Sequence, residues 1–167
     1  MENYFKLLEI EENYNIDTQV LNEQYLAQQT KYHPDKIINK QEKIHYQKTS
    51  MMLNKAYAVL KDDFERAKYL LNLNGTIIDE GKLKNSLPLD KLENIWSQLE
   101  EISTIDNLQT LKNLHNQKTS DQQILKLRLS EAFTKRKFQD ALDIMIEFKY
   151  LIGIIDNIKS KIRNAAI

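Results

Sequence analysis

Three glycines and two prolines are all the backbone punctuation this 167-residue chain possesses. Strand-and-turn folds need such residues at nearly every reversal, so a chain this poor in them reverses seldom. Leu, Lys, Glu, Gln and Ala, all good helix formers, fill the space instead. The expected fold class is all-α, built from long helices. A hydrophobic content of 41% is enough for a core, and the length suits one ordinary domain or two small ones. The 24 basic and 24 acidic residues cancel, so no global field draws in nucleic acid or an anionic membrane, and charge-driven contacts must be local. Cysteine is absent, which excludes disulfides and thiolate metal sites and fits a reducing compartment. No stretch approaches the roughly 18 apolar residues of a membrane span. The opening MENYFKLLEIEENYN is too acidic and too short in apolar residues for a secretory signal. A soluble, cytoplasmic protein is expected, with no room for a presequence ahead of a helix that begins at Asn3.

The first 75 residues read as four helices. Asn3 opens a short one that places Tyr4, Phe5 and Leu8 near one face, before the polar loop EENYN. Asp17 is a good N-cap for the second, in which Leu21, Tyr25 and Tyr32 recur at i, i+4 and i+11, with Gln28 interrupting the stripe at i+7. That helix must end by His33, because Pro34 disfavours the α conformation before it. A third runs from near Gln41 to Leu60, with Ile44, Met51, Met52, Leu53, Ala56, Tyr57 and Leu60 as its apolar face. Asp62-Asp63 can cap a fourth, whose Phe64, Ala67, Leu70, Leu71 and Leu73 point inward until Asn74-Gly75 stops it. Residues 76–87 read as a polar linker broken by Gly81.

From 88 to 167 the pattern is that of a small antiparallel three-helix bundle. Pro88, in a first turn, starts LDKLENIWSQLEEI, which runs to about Ile102. Asp106 restarts the chain, and a segment to about Arg136 carries Leu108, Leu111, Leu114, Ile124, Leu125, Leu127 and Leu129, either continuous or interrupted near Thr119-Ser120-Asp121. A last, most apolar helix spans roughly Phe138 to Arg163. Helices of this length with one wet face bury their stripes only against one another.

The rarest residues of the chain meet in KYHPDK, Lys31 to Lys36. His33-Pro34-Asp35 would arise by chance in about two of a thousand chains of this composition. A short aromatic helix, a helix ending in Lys31-Tyr32, the loop HPDK, and a helix carrying Leu53-Asn54-Lys55-Ala56-Tyr57 and Leu60 together resemble the J-domain of DnaJ-type co-chaperones. FERAKYLLNLNG, Phe64 to Gly75, is similar to the continuation found in the HscB branch, and the helical region behind it has the matching size and order. The resemblance implies a J-domain over 1–75, a linker over 76–87 and a scaffold-carrying bundle over 88–167. It also implies a bacterial cytoplasmic helper of iron-sulfur cluster assembly. Such a protein stimulates ATP hydrolysis by an HscA/DnaK-type chaperone and brings it the scaffold protein IscU.

Lys31, His33, Pro34, Asp35 and Lys36 are then the chaperone-binding residues. Pro34 holds His33 extended, clear of the helix end, and Asp35 offers a carboxylate to a partner's arginine. Residues 20–61 hold seven lysines against three acids, a local surplus suited to an acidic surface. Gln28 and Gln29 depart from the apolar or basic residues common at such places, which puts helix packing and chaperone affinity in question. Between Asp90 and Asp106 the sign reverses, with five acids and one lysine. Leu92, Ile95, Leu99 and Ile102 make a core stripe there, and Leu89, Glu93, Trp96 and Glu100 a second stripe beside it. In HscB proteins this helix docks the scaffold together with an aromatic of the last helix, here Tyr150. The implied scaffold-binding set is therefore Leu89, Leu92, Glu93, Trp96, Glu100 and Tyr150, with Glu101 in place of Glu100 if the register shifts by one. The alternative is that Trp96 and Tyr150 simply complete the bundle.

Other readings lack support in the residues. His33, His45 and His115 share no zinc-like spacing, so neither a metal nor another cofactor is expected. A His33-Asp35 acid-base pair has no nucleophile or phosphate-cradling glycine loop beside it, so no enzyme is expected. Nucleic-acid binding lacks a reading motif. A J-protein serving other clients and a non-chaperone helical adaptor remain the alternatives to the HscB reading.

Overall fold

The computed structural model describes residues 3–33, 39–78 and 88–165, which form seven helices and no strand. In chain order these are α1 (Tyr4–Leu7), α2 (Thr18–Lys31), α3 (Lys40–Lys61), α4 (Asp63–Leu73), α5 (Leu89–Thr104), α6 (Leu108–Thr134) and α7 (Phe138–Ala165). The chain divides into two compact units, residues 1–70 and 71–167. The division falls inside α4 rather than after Gly75, and most of the expected linker lies outside the described residues.

In the first unit each helix begins on a side-chain cap. Asn3 Oδ1 accepts from the N–H groups of Phe5 and Lys6, at 3.0 and 3.3 Å. Asp17 Oδ1 accepts from Gln19 and Val20, at 2.8 and 3.3 Å. Asp62 Oδ1 accepts from Phe64 and Glu65, both at 2.9 Å. These satisfy orphan donors that open every α-helix. α3 packs on α1 and α2, and Phe5, Leu8, Leu21, Leu53, Ala56, Leu60 and Ala67 are fully enclosed. The Tyr69 ring stacks on Tyr4 at 4.5 Å, and its hydroxyl accepts from the Tyr4 N–H at 2.9 Å.

Three expectations for this unit are corrected. Gln28 does not interrupt the buried stripe of α2: it is only 6% exposed, because its i+7 position from Leu21 faces inward whatever it carries. Ile44 and Met51 are exposed at 48% and 72%. At about 100° per residue both lie on the far side of α3 from Leu53. Tyr14, in the loop read as polar, is buried, and the Arg66 guanidinium lies over its ring at 4.9 Å. Burial, with the nearby carboxylates of Asp63 and Asp62, pushes the Tyr14 phenol well above its usual range, against the lowering effect of Arg66.

α4 ends as expected. Gly75 takes φ +84°, the Thr76 N–H reaches Leu71 O at 2.9 Å and the Gly75 N–H reaches Asn72 O at 3.2 Å. This is the left-handed stop that favours glycine.

In the second unit α6 pairs along α7, and α5 lies against α7. Lys91, near the start of α5, meets Glu147, and Lys161, near the end of α7, meets the end of α5, so α5 and α7 run in the same direction with α6 returning between them. Ile102, Leu111, Ile154 and Ile158 form one buried cluster. α6 is continuous through Thr119-Ser120-Asp121. Asn107 rather than Asp106 caps it, accepting from the Thr110 N–H at 3.0 Å. Pro88 stands at the N-cap of α5, just ahead of the first turn. Ile124 and Leu127 face out at 55% and 71% exposure.

Candidate docking sites

The first candidate site begins where α2 stops. Tyr32 is the C-cap, its N–H bonded to Gln28 O at 3.0 Å, and the exposed His33 follows. Lys31 is exposed and its Nζ sits 5.3 Å from the Tyr32 ring centroid. Pro34, Asp35 and Lys36 lie outside the described residues. His33 is held in place by what fixes α2 to α3. Tyr32 packs against Tyr46 of α3 at 5.4 Å. Further back the Tyr25 and Tyr57 rings stack at 4.2 Å, each hydroxyl donating across the pair, to Asn54 at 2.7 Å and Asn22 at 3.1 Å. Gln29 completes the clasp: its Nε2 donates to Ser50 O at 3.1 Å and Asn54 Oδ1 at 2.7 Å, and Ser50 Oγ donates to its Oε1 at 2.8 Å. The departure at Gln29 therefore changes how the hairpin is joined, with a polar network in place of apolar contact. Its signal in the sequence was only a polar residue at an unexpected place.

The second candidate site is on α5 and α7. Leu89 and Trp96 are exposed at 68% and 63%, and Glu93, Glu100 and Glu101 are exposed as well. Trp96 does not complete the bundle. Of the expected core stripe only Ile102 is buried, whereas Leu92, Ile95 and Leu99 are half-buried. α5 is anchored at its C-terminal end, where Lys161 Nζ donates to the carbonyls of Ile102 at 2.9 Å, Ser103, and Ile105 at 2.8 Å. Its other end is held by Lys91, which bonds Glu147 at 2.7 Å, while Arg128 of α6 approaches the same carboxylate at 3.4 Å. That hydrogen bond and charge hold the Lys91 amine above its usual range.

Between these anchors the seam of α5 and α7 is open. Tyr150, half-buried, stands between two clefts of about 380 and 340 Å³. Asn94, Gln98 and Lys118 line the first. Leu99, Lys149, Gly153 and Asn157 line the second, and Ile95 is common to both. Lys149, Gly153 and Asn157 were missed from the sequence, although they flank Tyr150 at −1, +3 and +7, the spacing that puts residues on one side of a helix. Among the described residues no cluster of His, Asp and Glu could hold a metal ion, and no helix is long and apolar enough to cross a membrane.

An all-helical chain with an exposed histidine opening a His-Pro-Asp tripeptide, followed by an acidic-faced bundle, has known counterparts. Residues 3–69 match the model of the DnaJ domain. The HscB co-chaperone homologue of Neisseria meningitidis is 30% identical over 166 residues, which cover 96% of this chain and 99% of that protein. The chain belongs to the HscB co-chaperone family. HscB of Buchnera aphidicola is likewise 30% identical over 167 residues, 95% of this chain and 94% of that one. The crystal structure of human HscB superimposes with a TM-score of 0.88 at 26% identity, covering 96% of this chain and 82% of the human one. The DnaJ match stays within the first compact unit, and the HscB relatives extend it through the bundle.

Proposed function

We propose that this HscB-family chain stimulates ATP hydrolysis by an HscA/DnaK-type chaperone and delivers to it an IscU-type scaffold during iron-sulfur cluster assembly, in the cytoplasm of a bacterium. The observation that carries the reading is the exposed His33 directly after the C-cap of α2, at the head of His-Pro-Asp, in a chain related to HscB over its whole length. Lys31, His33, Pro34, Asp35 and Lys36 form the chaperone edge. Leu89, Leu92, Glu93, Trp96, Glu100, Glu101 and Tyr150 form the scaffold face, with Trp96 as the apolar anchor and the glutamates as its rim. Large aromatics bordered by polar groups concentrate binding energy in this manner. The chain performs no chemistry itself: it raises the local concentration of scaffold at the chaperone and triggers the chaperone's own hydrolysis.

The test is steady-state ATPase of a DnaK-type partner with and without scaffold. The wild-type chain should stimulate it, and His33→Gln should abolish the stimulation while circular dichroism and calorimetric scaffold binding stay unchanged. Undiminished stimulation by the folded variant would overturn the reading.

A further inference from the structure

The neutrality of the whole chain conceals an imbalance between the two long helices of the first unit. α2 carries one lysine and one acid, Lys31 and Glu23. α3 carries five lysines, at 40, 43, 48, 55 and 61, against the single acid Glu42. Two of these lysines share a line with the apolar residues that the core leaves out. Ile44, Lys48, Met51 and Lys55 stand at i, i+4, i+7 and i+11, one stripe of a helix. The stripe lies opposite Leu53, Ala56 and Leu60, which are fully buried. Ile44 is 48% and Met51 72% exposed, and Lys48 and Lys55 are exposed too. Neither lysine has an ion-pair partner among the described residues.

Isolated exposed hydrophobics are ordinary and need no explanation. Here two of them alternate with two unneutralised cations along one line, on a helix that begins a few residues after His33. A membrane or nucleic acid would ask for more charge than this chain as a whole offers. An acidic protein surface with apolar positions between its carboxylates matches the alternation. We propose that the Ile44–Lys48–Met51–Lys55 stripe is a second contact edge for the chaperone, continuous with the His33 end of the hairpin. The proposal rests on the chaperone reading above and deepens it: the loop triggers hydrolysis, and the stripe sets how readily the partner is engaged. Exposed charges of this kind act chiefly on encounter and register and are screened by salt.

The experiment titrates the full-length chain against a DnaK-type ATPase at low and high salt. The variants are Lys48→Glu with Lys55→Glu, the milder Lys48→Gln with Lys55→Gln, Met51→Ala, and His33→Gln. The double charge reversal should raise the concentration for half-maximal stimulation about tenfold at low salt, leave the plateau intact, and lose most of that difference at high salt. The glutamine pair should fall between it and wild type, and Met51→Ala should shift the midpoint about twofold to threefold. Circular dichroism should be unchanged throughout, since all four positions are on the surface. If His33→Gln abolishes stimulation yet the charge reversal leaves the midpoint and its salt dependence unchanged, the stripe is not a contact edge and only this proposal fails. If the wild-type chain gives no stimulation, the chaperone reading fails and the stripe proposal with it. If the charge reversal leaves the ATPase titration unchanged and weakens binding to anionic vesicles instead, the stripe serves a membrane and the proposal is overturned.

Discussion

The two units solve the problem of unpaired backbone in opposite ways. The buried polar side chains among the described residues, Gln28 and Arg66, both belong to the first unit. Arg66 donates from Nε to Tyr14 O at 2.7 Å and from Nη1 to Leu60 O at 2.6 Å, and pairs with Asp63. It thereby joins the loop between α1 and α2 to the corner where α3 ends. A small unit with a long irregular loop cannot satisfy that loop's carbonyls by helix formation, so a side chain has to do it. In the second unit long helices satisfy their own backbones, and the described core is hydrocarbon: Leu129, Met145, Phe148, Ile158 and their neighbours. Charge appears only at its edges, as Lys161 on the end of α5 and Glu147 between Lys91 and Arg128. The lesson is that a polar group is structural in one unit and peripheral in the other, and that substitutions of the same type should cost very different amounts.

The sharpest test of that contrast is Arg66→Met. It keeps the apolar stem and removes the guanidinium, leaving two backbone carbonyls without their donor inside the first unit. Breaking such a buried arrangement by deleting one partner costs about 3 to 5 kcal/mol, the lower end being expected because Asp63 is a third exposed. Glu147→Gln, which removes a carboxylate facing two cations at the surface of the second unit, should cost under about 1 kcal/mol. Urea denaturation of each variant measures both values. A cost at Glu147 equal to that at Arg66 would break the comparison.

Next in size is Trp96→Ala, which separates stability from binding in the second unit. The side chain is 63% exposed, so folding stability should change by under about 1 kcal/mol. Truncating an aromatic anchor costs about 2 kcal/mol of binding, or roughly thirtyfold in scaffold affinity. Calorimetric titration and denaturation of the same variant check the two numbers. A large fall in stability with unchanged affinity would return Trp96 to the core. Because the chain has one tryptophan, the fluorescence of Trp96 reports on it directly. Emission should start red, as for an exposed indole, and shift blue on scaffold binding.

The same division governs what could be read from the sequence. The caps at Asn3, Asp17 and Asp62 are local chemistry, written in a few adjacent residues, and so was the glycine stop at Gly75. His33 was legible because a tripeptide motif is contiguous. Arg66 and Gln28 were not, because a buried polar residue looks like a surface one until the loop or helix that covers it is known. Ile44 and Met51 show the limit of counting apolar residues without fixing the phase: α3 has more of them than its inner face can hold. In the second unit the stripe of Leu89, Glu93, Trp96 and Glu100 followed from periodicity alone. The half-buried state of Leu92, Ile95 and Leu99 depends on how closely α5 sits on α7, which no local pattern encodes.

Gly153 supplies the smallest test, in the seam where these two kinds of information meet. A glycine inside α7 is unfavourable by roughly 1 kcal/mol relative to alanine. No steric reason within the chain requires it: a Cβ built there meets nothing within 4 Å. It nonetheless lines the cleft beside Tyr150 and faces solvent. A helix that gives up this stability at an exposed position next to the candidate scaffold face is explained if a partner's backbone approaches there. Gly153→Ala should therefore raise the stability of the second unit by about 0.5 to 1 kcal/mol and lower scaffold affinity by a few fold, since one methyl group then stands in the approach. Thermal denaturation and calorimetric titration would show the two effects moving in opposite directions. Greater stability with undiminished affinity would mean that the partner stays on the Trp96 side of Tyr150, and would narrow the scaffold face to α5 and the Tyr150 ring.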